Sequence, residues 1–402
     1  MDKIDVIIIG GGITGITTGV VLQLLGLNTE IYAHKLATDP DQSDPRFASL
    51  YPAASVLPHS VGTDQLERLF GHSLEVFRLL HRYHSRGMKL HRHYEVFEFP
   101  SERPPYLDLM NNVEEIDPGN DPFVPRREQH AELSGWVFNC YLAEWPMYIR
   151  EMYRWYRSAG GTITRKELMP EDLSTLPADL VVNCSGIWAP QLLDLQEPLH
   201  VLRGHLLQVH DLPLFRNSEG LVPSYNYTPV RSVYSDPDGN PSDLYFYPRS
   251  NGWIFGGSRQ PGILDSEGNW DGSGHDDMLA IGGESIPSAI WEVNREILAA
   301  TFKFKLDSSY TVEASTGYRY LGNSRSGNLI LKGTDHGDKK LFNNYGHGGS
   351  GVTLSWGCAL ESARWVKELR GGFGDLTSPR RPILKFLQHK LEELVFQRQA
   401  GN

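Results

Sequence analysis

Three glycines close to the N-terminus have the spacing of a phosphate-binding loop. The run Gly10-Gly11-Gly12-Ile13-Thr14-Gly15 contains the pattern G-x-G-x-x-G, with a β-branched run at 6–9 before it and a helical pattern at 16–25 after it. The first glycine would permit a tight turn, the second the close approach of a pyrophosphate, and the third the packing of the helix against the strand. This context predicts dinucleotide binding rather than a plain turn between a strand and a helix.

A second glycine-rich loop, with the letters NNYGHGGSGVT, occupies residues 343–353. An apolar strand is expected at 328–331 and a helix at 352–360, so that Gly348, Gly349, Ser350 and Gly351 would lie at a helix N-terminus. A helix N-terminus stabilises negative charge, which a reduced flavin carries at N1 and at the O2 carbonyl and a nicotinamide does not. The two loops together predict FAD, with the pyrophosphate at the first loop and the isoalloxazine ring at the second. A glycine-rich turn without a ligand is the alternative.

The strand after the first helix ends without the acid that usually contacts the adenosine ribose. Residues 28–32 lead into Ala33-His34-Lys35, where a dinucleotide-binding domain usually carries Asp or Glu. We expect His34 to replace that acid. A helix at 144–158, a strand at 161–164 and a buried strand at 178–186 that closes on Ser185-Gly186 would complete a doubly wound, Rossmann-like α/β sheet.

The remaining segments have a different character. Residues 200–260 show strand patterns, for example at 205–209 and 244–247, while 64–83 form an amphipathic helix. Residues 262–275 lack the ligand order of a calcium-binding EF-hand and are expected to be a solvated loop. We expect two domains and a tail. They are an FAD-binding domain at 1–57, 143–190 and 320–372, an α+β substrate-binding domain on a mixed or antiparallel sheet at 58–142 and 191–319, and a helical tail at 373–402.

The composition argues against several classes of protein. The formal charge of −11 disfavours nucleic acid as a partner, and no apolar run has the length of a membrane span. Only three cysteines occur, widely spaced, which suggests neither a disulfide framework nor a zinc site, and we expect no metal. The N-terminus does not resemble a signal peptide and the C-terminus does not resemble a peroxisomal signal, so a cytoplasmic location is expected.

The chain resembles the D-amino-acid oxidases along most of its length. The resemblance is carried by NNYGHGGSGVTLSWGCALE and by GGGITG, FASLYPAAS, VVNCSGIWA, YFYPRSNGWIFGG and STGYRY. Members of this family transfer a hydride from the Cα of a D-amino acid to flavin N5 and pass the electrons to oxygen. The resemblance implies FAD as cofactor and a D-amino acid and O2 as small-molecule partners, and it leaves a homodimer open. Related glycine and sarcosine oxidases share the first loop but resemble the second motif much less.

The same resemblance implies roles for single residues. Arg319 matches the arginine that clamps the substrate α-carboxylate with its planar fork. Tyr245 matches a tyrosine whose hydroxyl also holds that carboxylate. Since the hydride leaves directly for the flavin, no strong side-chain base is needed and positioning dominates. The implied flavin contacts are Val352 and Thr353 at the O2 end, Ala54 and Ser55 beside the ring, and Glu167 at the adenine.

Two further residues predict an acidic substrate. Arg259, in GGSRQ, and His59, in VLPHS, resemble positions of the D-aspartate oxidase branch. A cation opposite the side-chain carboxylate would favour D-aspartate or D-glutamate, because an apolar substrate would leave it buried and unpaired. Alternatively, Arg259 is a solvated strand-end residue and His59 an ordinary loop histidine. An oxidase of neutral D-amino acids, a secondary-amine or tailoring oxidase on the same fold, and a flavin-binding protein without turnover stay open. Residues 225–234 are a candidate lid.

Overall fold

The computed structural model describes residues 3–40, 43–83, 87–128, 132–274, 277–307, 309–322, 328–371 and 389–393. The chain divides into two compact units. Unit 1 consists of Met1–Met88, Trp145–His200 and Arg319–Asn402, and unit 2 of Lys89–Glu144 and Val201–Tyr318. The assignment of FAD and of the substrate to separate domains, with the bounds given above, stays a prediction.

The helices and strands follow in chain order. The helices are α1 (Ile13–Leu24), α2 (Leu66–Arg82), α3 (Met147–Ser158), α4 (Ala189–Leu192), α5 (Ser288–Phe302) and α6 (Gly351–Leu369). The strands are β1 (Val6–Gly11), β2 (Thr29–Leu36), β3 (Met88–Phe97), β4 (Asn111–Glu115), β5 (Ser134–Ala143), β6 (Thr162–Thr164), β7 (Leu180–Asn183), β8 (Leu199–Val209), β9 (Val222–Thr228), β10 (Leu244–Arg249), β11 (Gly252–Gly256), β12 (Gln260–Leu264), β13 (Trp270–Gly272), β14 (Met278–Ile281), β15 (Glu284–Pro287), β16 (Val312–Tyr320), β17 (Ile330–His336) and β18 (Lys339–Tyr345).

Unit 1 is built on a six-stranded sheet in the order β17-β18-β7-β1-β2-β6. Strand β1 lies between β2 and β7 and is parallel to both, which explains why its apolar run is completely or almost completely buried. Helix α1 packs against α3 and α6, and α6 packs against α2. The predicted α/β fold class is confirmed.

The strand that leads into the second glycine loop is β18, so the prediction of a strand at 328–331 in that place was wrong. Strand β17 turns back antiparallel into β18, and β18 then runs parallel to β7. Lysines and asparagines interrupt the apolar pattern of β18, which hid it from the sequence analysis. One of them, Asn343, is buried and accepts a hydrogen bond of 3.0 Å from the side-chain amide of Asn183.

Helix bounds also differ from the expectation. Helix α6 continues to Leu369, nine residues beyond the predicted end. Helix α3 begins at Met147 rather than at residue 144, because Pro146 has no N–H and is tolerated only at a helix start. Within the predicted tail, residues 389–393 are helical, and the rest of the expected terminal helix lies outside the described residues.

Unit 2 contains a mixed ten-stranded sheet, as predicted. Its order is β13-β12-β8-β11-β10-β9-β3-β5-β4, with β16 beside β8. Strands β3 and β9 are parallel, whereas β9, β10, β11 and β8 pair antiparallel in turn. Since side chains alternate along a strand, Tyr225, Phe246 and Phe255 share one face and form a core with α5. The opposite face carries polar side chains.

Two predictions for unit 2 need correction. Of the candidate lid at 225–234, residues 225–228 do not form a lid, because they belong to β9 and both Tyr225 and Tyr227 are completely buried. The segment 262–275 is not a loop throughout its described part, because β12 and β13 pair there as a hairpin, but residues 265–267 and 271–274 are exposed as predicted. The carboxylate of Asp265 organises the turn by accepting the backbone N–H groups of Glu267 and Asn269 at 2.9 and 2.8 Å.

None of the helices among the described residues has the length and apolar character that a bilayer-spanning segment needs.

Candidate functional site

Among the three glycines of the G-x-G-x-x-G pattern, Gly10 and Gly15 are required by close backbone contacts. Gly10 has φ +114°, and a Cβ there would lie 2.3 Å from the carbonyl oxygen of Cys184. A Cβ at Gly15 would lie 2.0 Å from the carbonyl oxygen of Gly10. A Cβ at Gly12 would instead meet the hydroxyl of Ser49 at 2.9 Å, which is the end of a side chain that can rotate. The close contacts at Gly10 and Gly15 therefore hold α1 tightly against β1, whereas the Ser49 hydroxyl beside Gly12 can move.

Ser49 and Arg46 were not singled out by the sequence analysis, and Ser49 lies beside the first loop. The hydroxyl of Ser49 accepts the backbone N–H of Ile13 at 3.0 Å. Arg46 and Lys35 both bond to Asp44, with nitrogen–oxygen distances of 3.0 and 2.7 Å. The signal was available, because both missed residues lie in or next to the motif FASLYPAAS.

The predicted adenosine contacts are His34, in β2, and Glu167, whereas Ser185 and Gly186, predicted to bind the cofactor, follow β7. His34 Nδ1 is 3.4 Å from Glu167 Oε2, and both side chains are exposed. The hydroxyl of Ser185 donates to the side-chain oxygen of Asn183 at 2.6 Å. Gly186, with φ +63°, has open space where a Cβ would be. The structure brings His34 and Glu167 together, and their contacts with ribose and adenine stay predictions.

The N-termini of α1 and α6 meet, although the two loops are far apart in sequence. A Cβ on Gly351 would lie 3.8 Å from Cγ2 of Ile13. Neither N-cap residue, Gly12 or Ser350, gives the first turn a side-chain hydrogen bond. Helix N-termini carry partial positive charge and attract anionic groups. Two of them at one place would favour an anionic group more than either helix N-terminus alone.

The second glycine loop is tied to the segment that precedes α2. The N–H of Gly349 donates to the carbonyl of Ser60 at 3.1 Å, and the hydroxyl of Ser350 donates to the carbonyl of His59 at 2.5 Å. Gly348 has φ +54°, and a Cβ there would lie 2.0 Å from the same Ser60 carbonyl. The hydroxyl of Thr353 completes the connection by donating to the carbonyls of residues 57 and 55 at 3.0 and 3.4 Å. The residues collected here include the predicted Ala54, Ser55, His59, Gly348, Gly349, Ser350, Gly351, Val352 and Thr353.

Arg319 lies against this second loop within unit 1. It is the penultimate residue of β16, and its Cδ would be 3.4 Å from a Cβ on Gly349. The next residue, Tyr320, accepts the N–H of Gly348 through its carbonyl at 3.0 Å. The side chain of Arg319 thus begins next to the second glycine loop, where the sequence predicts the flavin ring.

A buried histidine, His347, lies inside the loop. Burial lowers its pKa to about 4, so it is neutral at physiological pH.

In unit 2, Tyr245 and Tyr247 lie on the polar face of the sheet. Their rings stack with centroids 4.7 Å apart and planes 6° from parallel. The hydroxyl of Tyr245 lies over Gly256 of β11, where a Cβ would be only 2.2 Å from it. The hydroxyl of Tyr247 donates to the side-chain oxygen of Asn226 at 2.5 Å. The orientation of Tyr245 therefore depends on a glycine in the neighbouring strand.

Arg259 is paired with Asp243, a residue that the sequence analysis missed. Both terminal nitrogens of Arg259 bond to the carboxylate, one of them at 3.1 Å, and the side chains are only 23% and 15% exposed. The side-chain amide of Asn226 also donates to Asp243 at 3.3 Å. Burial alone would lower the pKa of Arg259, but the charge of Asp243 raises it above its usual value. The alternative that Arg259 is a solvated residue was wrong.

Two more ionisable residues are buried on the same face. His93 shares a hydrogen bond of 3.0 Å with Ser224, and burial lowers its pKa to about 3 although Asp243 acts in the opposite direction. Glu95 accepts a hydrogen bond of 3.1 Å from the hydroxyl of Tyr106. No sequence signal distinguished these residues from the rest of β3.

The family described as FAD dependent oxidoreductase matches residues 5–365. The chain therefore belongs to this family and uses FAD as its cofactor. It is 26% identical over 366 residues to a D-amino-acid oxidase from Rubrobacter xylanophilus, covering 89% of this chain and 94% of the relative. It is also 24% identical over 385 residues to the human D-aspartate oxidase, covering 92% and 96%.

Solved structures of oxidases share the fold. Glycine oxidase from Geobacillus kaustophilus aligns with a TM-score of 0.60 at 14% identity, covering 90% of this chain and 94% of the other. Iminodiacetate oxidase from Chelativorans sp. aligns with a TM-score of 0.57 at 19% identity, covering 91% and 95%. At these identities the likeness defines the architecture and not the substrate.

Proposed function

We propose that the protein is an FAD-dependent oxidase of D-amino acids. The observation that carries the proposal is the position of Arg319 against Gly349, beside the N-terminus of α6. A guanidinium fork there suits the α-carboxylate of an amino acid whose Cα must face the flavin ring. The D-amino-acid oxidases among the relatives support the same assignment.

The residues of unit 1 fit FAD. The first loop, Ser49 and the start of α1 would hold the pyrophosphate, with Ser185 and Gly186 nearby, and His34, Lys35 and Glu167 would lie towards the adenosine. The start of α6 would hold the O2 end of the ring, where partial positive charge stabilises the reduced state. Ala54 and Ser55 would line the ring.

The proposed reaction removes a hydride from Cα and a proton from the amino group, giving an imino acid. Bound FAD would supply the hydride acceptor and the route by which two electrons reach O2, which becomes H2O2 with two protons. Water then converts the imino acid to a 2-oxo acid and ammonia. Arg319 would fix the carboxylate, so that this chain contributes orientation rather than a base, and the role of Tyr245 that the family resemblance implies stays a prediction.

The preference for acidic substrates, based on Arg259 and His59, stays a prediction. Oxidases of neutral D-amino acids and of secondary amines are the alternatives, and the second is kept because glycine and iminodiacetate oxidases share the fold. A cytoplasmic location and a homodimer also stay predictions.

Anaerobic reduction of the bound flavin tests the proposal. D-amino acids should bleach its absorbance, whereas their L-enantiomers and sarcosine should not. Bleaching by sarcosine alone would favour the secondary-amine alternative. A flavoprotein that no amine reduces would refute an oxidase of amino acids and favour a binding protein.

The variant Arg319→Ala tests the carboxylate clamp. It should keep its flavin spectrum but lose about 30- to 5000-fold in kcat/KM, which corresponds to roughly 2–5 kcal/mol for a desolvated charged pair. Arg319→Lys should be intermediate, because it keeps the charge and loses the fork. An alanine variant with wild-type efficiency would place the clamp elsewhere.

A further inference from the structure

The Asp243–Arg259 pair lies beside Tyr245 on the polar face of unit 2. Asp243 precedes Tyr245 by two residues, and Asn226 pairs with Tyr245 across the strands while it donates to Asp243 at 3.3 Å. If Tyr245 contacts the substrate carboxylate, the pair is close to the substrate side chain.

The positive charge of Arg259 and the negative charge of Asp243 offset each other. A guanidinium that is already bonded through both terminal nitrogens to one carboxylate has little attraction left for a second. An acidic side chain that approached it would also meet the charge of Asp243, and like charges repel strongly where both are largely removed from water. Neutral side chains incur neither penalty.

We infer that Asp243 sets the side-chain preference of the enzyme: by holding Arg259 it excludes acidic D-amino acids and favours neutral ones. The inference rests on the proposed function, since it assigns the substrate class of the same site. It also reverses the expectation drawn from Arg259 alone, because the sequence shows the cation without its partner.

The test compares D-aspartate with D-alanine in the holoenzyme and in Asp243→Asn. The wild type should have the higher kcat/KM for D-alanine. The variant keeps the size of the side chain but loses the negative charge, so its ratio of D-aspartate to D-alanine efficiency should rise at least about 10-fold. Adding Arg259→Met to Asp243→Asn should abolish that rise.

Glu95→Gln is the matched control. It removes one buried negative charge from the same face, where Glu95 bonds to Tyr106 rather than to Arg259. The ratio of D-aspartate to D-alanine efficiency in Glu95→Gln should stay within about twofold of the wild-type ratio. This is well below the rise of at least about 10-fold expected for Asp243→Asn, which corresponds to about 1.4 kcal/mol. A rise equal to that of Asp243→Asn would show a general charge effect and overturn the inference.

A binding measurement separates failure of the inference from failure of the proposed function. Butyrate and succinate can be titrated into the holoenzyme while the flavin spectrum is followed. The wild type should bind butyrate more tightly, and Asp243→Asn should shift the preference towards succinate even if no D-amino acid is oxidised. A wild type that prefers D-aspartate and succinate would overturn the inference without any variant, as would an unchanged ratio in Asp243→Asn.

Discussion

Gly357 lies in α6 where that helix packs against α2. A Cβ at this position would be 2.2 Å from the carbonyl oxygen of Leu69 and 2.8 Å from the carbonyl carbon. Both atoms belong to the backbone of α2 and cannot rotate away. The N–H of Gly357 also donates to the hydroxyl of Ser73 at 2.9 Å. Gly357→Ala must therefore separate the two helices.

The magnitude follows from two opposing effects. Alanine is favoured over glycine inside a helix by about 1 kcal/mol. The distance between the new Cβ and the carbonyl oxygen of Leu69 must increase from 2.2 Å to the 3.4 Å at which ordinary contact begins. This increase displaces tightly packed backbone. Such overpacking costs roughly 3 kcal/mol, so the net loss should be about 2 kcal/mol. Gly71 in α2 is the matched control, because nothing lies within 4 Å of its added Cβ. Gly71→Ala should gain about 1 kcal/mol.

Thermal unfolding of both holoproteins at one FAD concentration measures the difference. A change of 1 kcal/mol shifts Tm by about 2–4 °C in a domain of about 150–250 residues. Gly357→Ala should therefore lower the apparent Tm by about 4–8 °C, and Gly71→Ala should raise it by about 2–4 °C. Equal shifts, or a higher Tm for Gly357→Ala, would refute the argument from close packing.

Three further outcomes are expected. Gly15→Ala should purify without flavin colour, because its Cβ would overlap the loop carbonyl at 2.0 Å; a yellow variant would contradict this. Burial opposes the ionisation of Asp44, but hydrogen bonds from Arg46 and Lys35 outweigh it and lower its pKa from 3.8 to about 2. The contribution of ionised Asp44 to the free energy of unfolding should be present above about pH 4 and lost as the pH falls to about 2. Acid unfolding followed by fluorescence should show this loss in the wild type and less of it in Asp44→Asn. Glu98→Ala removes the carboxylate that accepts hydrogen bonds from the buried hydroxyl of Tyr227 at 2.6 Å and from the guanidinium of Arg127 at 3.2 Å. The variant should lower the free energy of unfolding of unit 2 by about 3–5 kcal/mol. A urea midpoint equal to that of the wild type would contradict this prediction.

Much of the fold could be predicted from the sequence because its determinants are local. The β-branched run before Gly10 and the glycine spacing after it define a strand, a turn and a helix within a few residues. The second loop predicted the start of α6 for the same reason. Strand β18 was missed, since its buried asparagines gain hydrogen bonds from other segments of the chain, for example Asn343 from Asn183 and Asn344 with Ser362.

The site depended more on tertiary structure. The sequence determined that both glycine loops open helices, but only the packing of α1 on α6 places Gly351 next to Ile13. Likewise, the sequence presented Arg259 as a cation, and only the fold supplied Asp243 as its partner. Charge and hydrogen bonding act between neighbours in space, and these neighbours lie in different segments of the chain. Their balance is therefore decided when the sheets and helices pack, not by the spacing of residues along the sequence.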